Sequence, residues 1–324
     1  MPRRRATPEP EREPEKRRSD YGAHKITPKD WVGLPFVADQ RFVRYDTLAE
    51  WWDPEHLPAI HEPRMKREGP GPGRGGKRTG LPWPRAWDKR LAAVARIVDQ
   101  HWVNMGLAES IQPFDKTPRW VRLTEAGLHI LGLSWPETPF PTTLKYYEHS
   151  DDRRCHSHCI NEVRVYLARG GAQVPRHTWT GERAIEARFP PAGLGQALPH
   201  LPDGFITIEQ AGKWDILDID DHWLGSVPLL PGQRVALEIE LNRKSYPRLQ
   251  KEVFPLLLQQ YDYVWYFAES EARRVVATAR ERYLANDEER ARLRIMSLSE
   301  HLPHLYVKWA MTPSSSGRPN LDQP

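Results

Sequence analysis

The sequence predicts an α+β protein of two domains, in which a small domain of helices and one hairpin precedes a larger α/β domain with a central mixed sheet. Its 324 residues suffice for two domains of ordinary size. Charge also divides the chain: residues 1–132 carry 24 Lys and Arg against 18 Asp and Glu, a net +6, whereas residues 133–324 carry 23 against 25, a net −2. In the second part strand patterns alternate with helical ones, which is typical of an α/β layer.

Composition excludes several classes of protein. With 13 Trp, 11 Tyr and 8 Phe, the chain has the large apolar side chains that wholly disordered proteins lack. Two Cys exclude a disulfide framework and indicate a reducing, cytoplasmic setting. No run of about 18 apolar residues occurs, and no apolar stretch typical of a secretory signal follows Met1. We therefore expect a cytoplasmic protein with no membrane partner.

Local composition sets the expected boundaries. The first residues mix Arg clusters with Pro and Glu and have too few apolar side chains to offset the entropy of ordering. The predicted segments are a disordered tail at 1–29, a first domain at 30–133 with a basic Gly/Pro-rich loop at 62–84, a Pro-rich linker at 134–151, a second domain at 152–311 and a disordered tail at 312–324.

The first domain has a recognisable order of elements. A short helix is predicted to begin at Asp46. The clearest helix covers 85–106, where apolar residues recur at a spacing of three and four and Gly106 supplies the C-terminal cap. A hairpin follows over 107–122, and another helix over 124–133. Helix, glycine, hairpin and helix is the order of a winged helix-turn-helix, in which a helix enters the DNA major groove and the hairpin contacts the backbone beside it.

Basic side chains in this domain are the predicted contacts to double-stranded DNA, because each neutralised phosphate adds salt-dependent affinity. They lie in the loop, the long helix and the hairpin: Arg64, Lys66, Arg67, Arg74, Lys77, Arg78, Lys89, Arg96, Lys116, Arg119 and Arg122. The alternative is a small α+β domain with no role in nucleic-acid binding.

The second domain alternates strands and helices. The predicted elements are a helix at 152–169, two short strands within 172–189, a strand at 205–208, an alternating strand at 214–220 in an inserted hairpin, a strand at 234–241, a helix at 245–260 kinked by Pro255, a buried strand at 263–267, a charged helix at 269–294 and a last strand at 305–309.

Three carboxylates of this domain are candidate metal ligands and catalytic groups. Glu238 and Glu240 lie in one apolar strand, and their spacing of two places them on one face. Buried carboxylates are costly unless they are paired or bound to a cation. Asp203 precedes the strand 205–208 and joins them if the two strands are adjacent. Such hard oxygen ligands suit Mg²⁺ or Mn²⁺, which activate water and stabilise the charge on a phosphodiester being cut.

Lys244 is the fourth candidate catalytic residue. It follows Glu240 by four residues and would add positive charge near a scissile phosphate. A structural alternative places both glutamates on a half-exposed face, paired with Arg243 or Arg234.

The order of Pro202-Asp203, then Glu238 followed by a basic residue and a helix, resembles the PD-(D/E)XK arrangement of restriction-endonuclease-like domains. Glu240 stands where that pattern has Lys, so Lys244 would act from beyond the strand. The separation of Asp203 from Glu238 requires an insertion over 210–233.

A series of short motifs resembles the replication-relaxation family: Arg119–Leu128, His158–Leu167, Pro202–Gly204, Glu238–Arg243 and a helix ending at Tyr261. The resemblance covers about residues 35–270. It implies a winged-helix DNA-binding domain joined to a nuclease-like α/β domain, a setting in plasmids or mobile elements, and other replication or conjugation proteins as partners. It also implies Asp203, Glu238 and Glu240 as site acids, supported by Glu162 and His158.

Cys155-His156-Ser157-His158-Cys159 has the composition of a zinc cluster. On a helix, Cys155 and Cys159 share a face, but the chain has no second Cys pair, and we expect packed or exposed thiols.

Three functions remain open. The first is a DNA-binding accessory factor in plasmid or mobile-element replication or DNA relaxation. The second is an active Mg²⁺- or Mn²⁺-dependent nickase or endonuclease. The third is a winged-helix transcriptional regulator, in which deletion of 145–310 would leave operator binding intact.

Overall fold

The computed structural model describes residues 25–52, 85–112, 119–134, 151–186, 200–217 and 223–302. We call the described residues up to 134 the N-terminal unit and those from 151 onward the sheet unit. Several predicted segments lie outside the described residues, wholly or for the most part: the tail 1–29, the loop 62–84, the linker 134–151, the strand at 305–309 and the tail 312–324.

The N-terminal unit combines helices with a small antiparallel sheet of order β1-β3-β2. Its elements are α1 (Asp30–Asp39), β1 (Val43–Arg44), α2 (Tyr45–Trp52), α3 (Arg85–Ile97, continued by a π-helical turn Val98–Trp102), β2 (Ala108–Ile111), β3 (Trp120–Leu123) and α4 (Glu125–Ser134).

The sequence patterns predict the elements of this unit from α2 onward, but they do not predict helix α1 or strand β1. Helix α3 buries Val94, Val98 and Trp102 on one side, as the apolar spacing requires. Gly106 follows it with φ 69°, a left-handed conformation that favours glycine. The hairpin β2–β3 and helix α4 are both present, so the predicted order of helix, glycine, hairpin and helix is confirmed.

The sheet unit begins with an 18-residue helix and contains most of the strands. Its elements are α5 (Asp151–Ala168), β4 (His177–Gly181), α6 (Glu182–Glu186), β5 (Gly204–Ile208), β6 (Gly212–Leu217), β7 (Trp223–Leu229), β8 (Arg234–Glu240), α7 (Tyr246–Arg248, a π-helical turn Leu249–Val253, and Phe254–Gln260), β9 (Tyr263–Ala268), α8 (Ser270–Tyr283), α9 (Asp287–Ala291), β10 (Leu293–Ser297) and α10 (Leu298–His301).

Five strands form a mixed sheet of order β10-β9-β8-β5-β4. Strands β8, β9 and β10 are parallel, whereas β5 is antiparallel to both β8 and β4. Strands β6 and β7 form a separate hairpin between β5 and β8, which is the insertion expected over 210–233. The molecule is therefore an α+β protein with a central mixed sheet, as predicted.

Side chains of β8 alternate between the two faces of the sheet. Val235, Leu237 and Ile239 pack in the core that includes residues of α5, while Ala236 packs in the core that includes residues of α7 and α8. By this alternation Glu238 and Glu240 lie on the α7 side.

Two predictions for this unit are wrong in part. The pattern over 269–294 predicts one helix, but the chain forms α8, α9 and the start of β10, because Asn286 begins a new helix by accepting a hydrogen bond from Glu289 N. Between 172 and 189, the described residues contain one strand and the short helix α6 rather than two strands. The kink predicted at Pro255 stays a prediction; a π-helical turn, Leu249–Val253, ends two residues before this proline.

Helix α5 joins the two units through buried polar contacts. Asn161 Nδ2 donates to the Phe42 carbonyl at 2.7 Å, and the Thr47 hydroxyl donates to Glu162 Oε1 at 2.6 Å. Val165 belongs to the core of the N-terminal unit. In the part of the chain that is described, no helix is sufficiently long and apolar to cross a membrane.

Candidate functional site

The carboxylates of Asp203 and Glu238 come from neighbouring strands. Gly204 pairs with Leu237 at the end of the β5–β8 ladder, so the next position along puts Asp203 across from Glu238. Glu238 is 2% exposed and Glu240 is 7% exposed. The alternative interpretation, in which both glutamates lie on a half-exposed face, is therefore wrong.

Lys244 binds both glutamates. Its Nζ lies 3.0 Å from Glu238 Oε2 and 2.6 Å from Glu240 Oε2. Among the described residues, neither Arg234 nor Arg243 pairs with these glutamates, contrary to the structural alternative. Arg234 instead donates to the Gln260 carbonyl. The loop from β8 to α7 thus returns an ammonium group to the strand that carries the acids.

Asp203 is held by a different set of contacts. Its Oδ2 accepts the Ile239 N–H at 2.7 Å and lies 3.4 Å from His156 Nε2. The same His156 Nε2 donates to the Ile239 carbonyl at 2.8 Å. His156, on α5, is a member of the site that the sequence analysis did not assign.

Two further residues reach the cluster. His200 Nε2 lies 3.1 Å from Glu238 Oε1, and Glu182, on α6, is close enough to interact electrostatically with Asp203 and His156. None of these contacts has a local signal in the sequence, because His156 and Asp203 are 47 positions apart and meet only when α5 packs beside β8.

Burial and charge act against each other at these groups. Burial favours the neutral form of Asp203, but the neighbouring His156 and the Ile239 N–H outweigh it and lower the pKa of this carboxyl. Burial opposes the charged form of His156, yet Asp203 raises its pKa to about 9. Burial raises the pKa of Glu240 in spite of Lys244, whose own pKa is raised because the attraction of Glu238 and Glu240 outweighs its burial.

The cluster retains an excess of negative charge. Asp203, Glu238 and Glu240 face the cations Lys244 and protonated His156, so these five groups carry a formal −1 when all three acids are ionised, and Glu182 adds further negative charge nearby. The donors are hard oxygens of the kind that Mg²⁺ and Mn²⁺ prefer. Among the described residues no three acidic, His or Cys side chains converge on one point as a ligand set, and Lys244 bridges the two glutamates. The acids therefore offer suitable donor atoms for a divalent ion, but the described residues do not form an assembled set of ligands for one.

The predicted DNA contacts are only partly within the described residues. Arg96 is exposed on α3. Arg119 lies 2.7 Å from Asp99, and Arg122 lies 2.6 Å from Glu109 across the hairpin. Lys89 belongs to α3, of which only the backbone is described at this position. The others lie outside the described residues: Arg64, Lys66, Arg67, Arg74, Lys77, Arg78 and Lys116.

The two cysteines on α5 are not joined in a disulfide. Cys159 is fully buried, and burial holds the pKa of its thiol well above the usual value. This agrees with the expectation of packed or exposed thiols.

His158 and Glu162, the expected supports of the site acids, face the other way. His158 Nε2 lies 3.3 Å from Arg44 Nη1, and Glu162 binds Thr47. Both side chains are buried against the N-terminal unit.

No family model, curated protein or solved structure gives a significant match to this chain.

Proposed function

We propose that the N-terminal unit binds duplex DNA and that the sheet unit cuts a phosphodiester bond of this DNA. The proposed setting is plasmid or mobile-element replication or DNA relaxation. The observation that carries the proposal is the cluster of Asp203, Glu238, Glu240 and Lys244 where β5 and β8 meet. The resemblance to the replication-relaxation family supplies the setting.

The order of elements supports a restriction-endonuclease-like fold for the sheet unit. A helix precedes the antiparallel strands β4, β5 and β8, and a second helix leads to β9, which is parallel to β8. Asp203 precedes the second of these strands, and Glu238 lies in the third. Lys244 supplies the basic group from the loop beyond the strand, which answers the absence of Lys at position 240.

Each site residue has a role in hydrolysis. Asp203 and Glu238 would hold Mg²⁺ or Mn²⁺, which when bound activates water and stabilises charge on the phosphate. Glu240 has a pKa raised by burial, so its carboxylate is a suitable base for the proton of the attacking water. Water oxygen bonds to phosphorus as the bond to the leaving sugar oxygen breaks, and the leaving oxygen takes a proton from solvent water. Lys244 would stabilise the negative charge of the phosphate oxygens.

The order of elements in the N-terminal unit and the net +6 charge of residues 1–132 support duplex binding by this part of the chain. The helix α3, the hairpin β2–β3 and the helix α4 follow one another along the chain in the order that a winged helix would have. Because Arg119 and Arg122 are paired with Asp99 and Glu109, phosphates would have to compete with these acids. Arg96 is exposed on α3 and has no acidic partner among the described residues, so it would meet DNA without such competition from them.

The test is nicking of supercoiled plasmid DNA by purified protein in Mg²⁺, Mn²⁺ or EDTA. The variants are Glu238→Gln, which keeps shape but removes a carboxylate, and Glu209→Gln as a matched control. Glu209 binds Arg176 at the surface, outside the cluster. We expect metal-dependent nicking by the wild type and the control, and a loss of at least about 100-fold in Glu238→Gln. Equal nicking by all three proteins would contradict the proposed site.

A second candidate function is DNA binding without cleavage. It is favoured by the contacts of Lys244 and His156, which already neutralise most of the charge of the acids. This candidate predicts that wild type and Glu238→Gln retard DNA equally in a gel, that salt weakens both complexes, and that neither protein nicks DNA in any metal.

A further inference from the structure

We propose that His156 is a positioning residue that fixes the Asp203 carboxylate against β8 and ties the site to the helix that seats the N-terminal unit. This inference rests on the proposed function for its effect on DNA cleavage, but its structural part does not depend on cleavage.

The backbone of Ile239 connects Asp203 and His156 to β8. Beyond the Gly204–Leu237 pair the β5–β8 ladder ends, so Asp203 Oδ2 takes the Ile239 N–H in place of a backbone carbonyl. His156 Nε2 binds the carbonyl of the same residue at 2.8 Å and lies 3.4 Å from the same Oδ2. Asp203, His156 and Ile239 are therefore in mutual contact, and Ile239 is the residue between Glu238 and Glu240 in β8.

Helix α5, which carries His156, is anchored to the N-terminal unit. Five and six residues after His156, Asn161 and Glu162 hold Phe42 and Thr47 of the N-terminal unit by buried hydrogen bonds. Val165 continues that contact in the apolar core. The imidazole thus belongs to a helix that the N-terminal unit holds in place. The position of the imidazole therefore depends on the contacts between α5 and that unit.

The neighbours of position 156 restrict which side chains fit there. The Ile239 carbonyl needs a donor, and a carboxylate stands beside it, so an N–H group of the reach of imidazole fits while an acid does not. About one third of the His156 side chain is exposed, so it lies at the solvent-facing edge of the cluster rather than in the core.

The experiment compares His156→Leu, which removes the donor, with His156→Gln, whose amide keeps one. His177→Leu is the matched control, since His177 also binds a backbone carbonyl, that of Pro175, away from the site. Amide hydrogen exchange of the peptide containing Ile239 is measured beside that of β9 in the full-length protein, and single-turnover nicking is measured at saturating DNA.

We expect the Ile239 amide to exchange about tenfold faster in His156→Leu, with β9 unchanged. His156→Gln should restore most of the protection. The nicking rate should follow the same order, with the Kd for DNA unchanged, and His177→Leu should match the wild type in both measurements.

Unchanged protection of Ile239 in His156→Leu, equal acceleration throughout β9, or no rescue by His156→Gln would overturn the proposal. If the wild type does not nick DNA, the proposed function fails, and the exchange measurement still decides the role of His156.

Discussion

Arg164 on α5 forms a buried ion pair with Asp39 of the N-terminal unit, and its removal tests the association of the two units. Its Nη1 lies 3.0 Å from Asp39 Oδ2, with the two side chains 10% and 11% exposed. The guanidinium also lies over the rings of Phe36, Trp51 and Trp179, at 4.8, 5.1 and 5.5 Å from their centroids. Both units therefore surround one cation.

We expect Arg164→Met to lower the free energy of unfolding by about 3 kcal/mol. Breaking a buried ion pair costs about 3–5 kcal/mol, because one charge stays buried without its partner. The low end applies since Arg183 continues to interact with Asp39. The double variant with Asp39→Asn should recover about 2 kcal/mol of the loss, because no unpaired carboxylate remains.

The loss should also depend on pH. Burial raises the pKa of Asp39 above 3.8, so the folded state binds its proton more readily than the unfolded state, and stability falls as pH rises from about 4 through the folded pKa. Without Arg164 that folded pKa rises further. Arg164→Met should therefore lose less stability at pH 5 than at pH 8.

The assay is equilibrium urea unfolding followed by Trp fluorescence, with Arg274→Met as control, since Arg274 forms an exposed pair with Glu271 on α8. We expect one transition in the wild type and in every variant. A loss below about 1 kcal/mol in Arg164→Met, or a double variant as unstable as the sum of the two single variants, would refute the reasoning.

Three other predictions concern the fold and the site. A fragment of residues 1–134 lacks the α5 contacts, so it should show no cooperative thermal transition by circular dichroism and no DNA retardation; intact binding would support the transcriptional-regulator hypothesis instead. Gly127→Ala should cost about 2 kcal/mol in urea unfolding, because a Cβ would meet the Leu107 carbonyl, whereas Gly132→Ala on the same helix has open space and should be neutral or stabilising; equal effects would contradict the close approach. Lys244→Met should lower Tm more at pH 8 than at pH 5, because Glu240, with its raised pKa, is protonated more readily in the folded state. The control is Lys251→Met at an exposed position. A loss of Tm that does not depend on pH would show that Lys244 acts by packing alone.

Elements with a local pattern could be predicted from the sequence. The apolar spacing of α3, the glycine after it and the alternation in β8 are each contained in a few consecutive residues. Helix α1 is different: it contains Gly33 and Pro35, which favour other structures, and is stabilised by the burial of Leu34 and Phe36 in the N-terminal core. Tertiary packing overrides local preference there, and no pattern in the segment itself shows it.

The same distinction applies to the site. The spacing of Glu238 and Glu240 on one face needs only the strand period, and the adjacency of β5 and β8 brings Asp203 to them. The contacts of His156 and His200 depend on long-range packing that the sequence does not indicate. The sequence predicts that Lys244 lies near a scissile phosphate. Nothing in the sequence indicates that the Lys244 ammonium binds two glutamates at once.

The central claim is that the carboxylate cluster cuts DNA held by the N-terminal unit. Its most direct test is the single-turnover rate of plasmid nicking in Mn²⁺ by wild type and Glu238→Gln, both at protein concentrations that saturate the DNA. The account predicts equal Kd values for DNA and a rate at least about 100-fold lower in the variant. Equal rates at equal occupancy would place the cutting outside the cluster and contradict the claim.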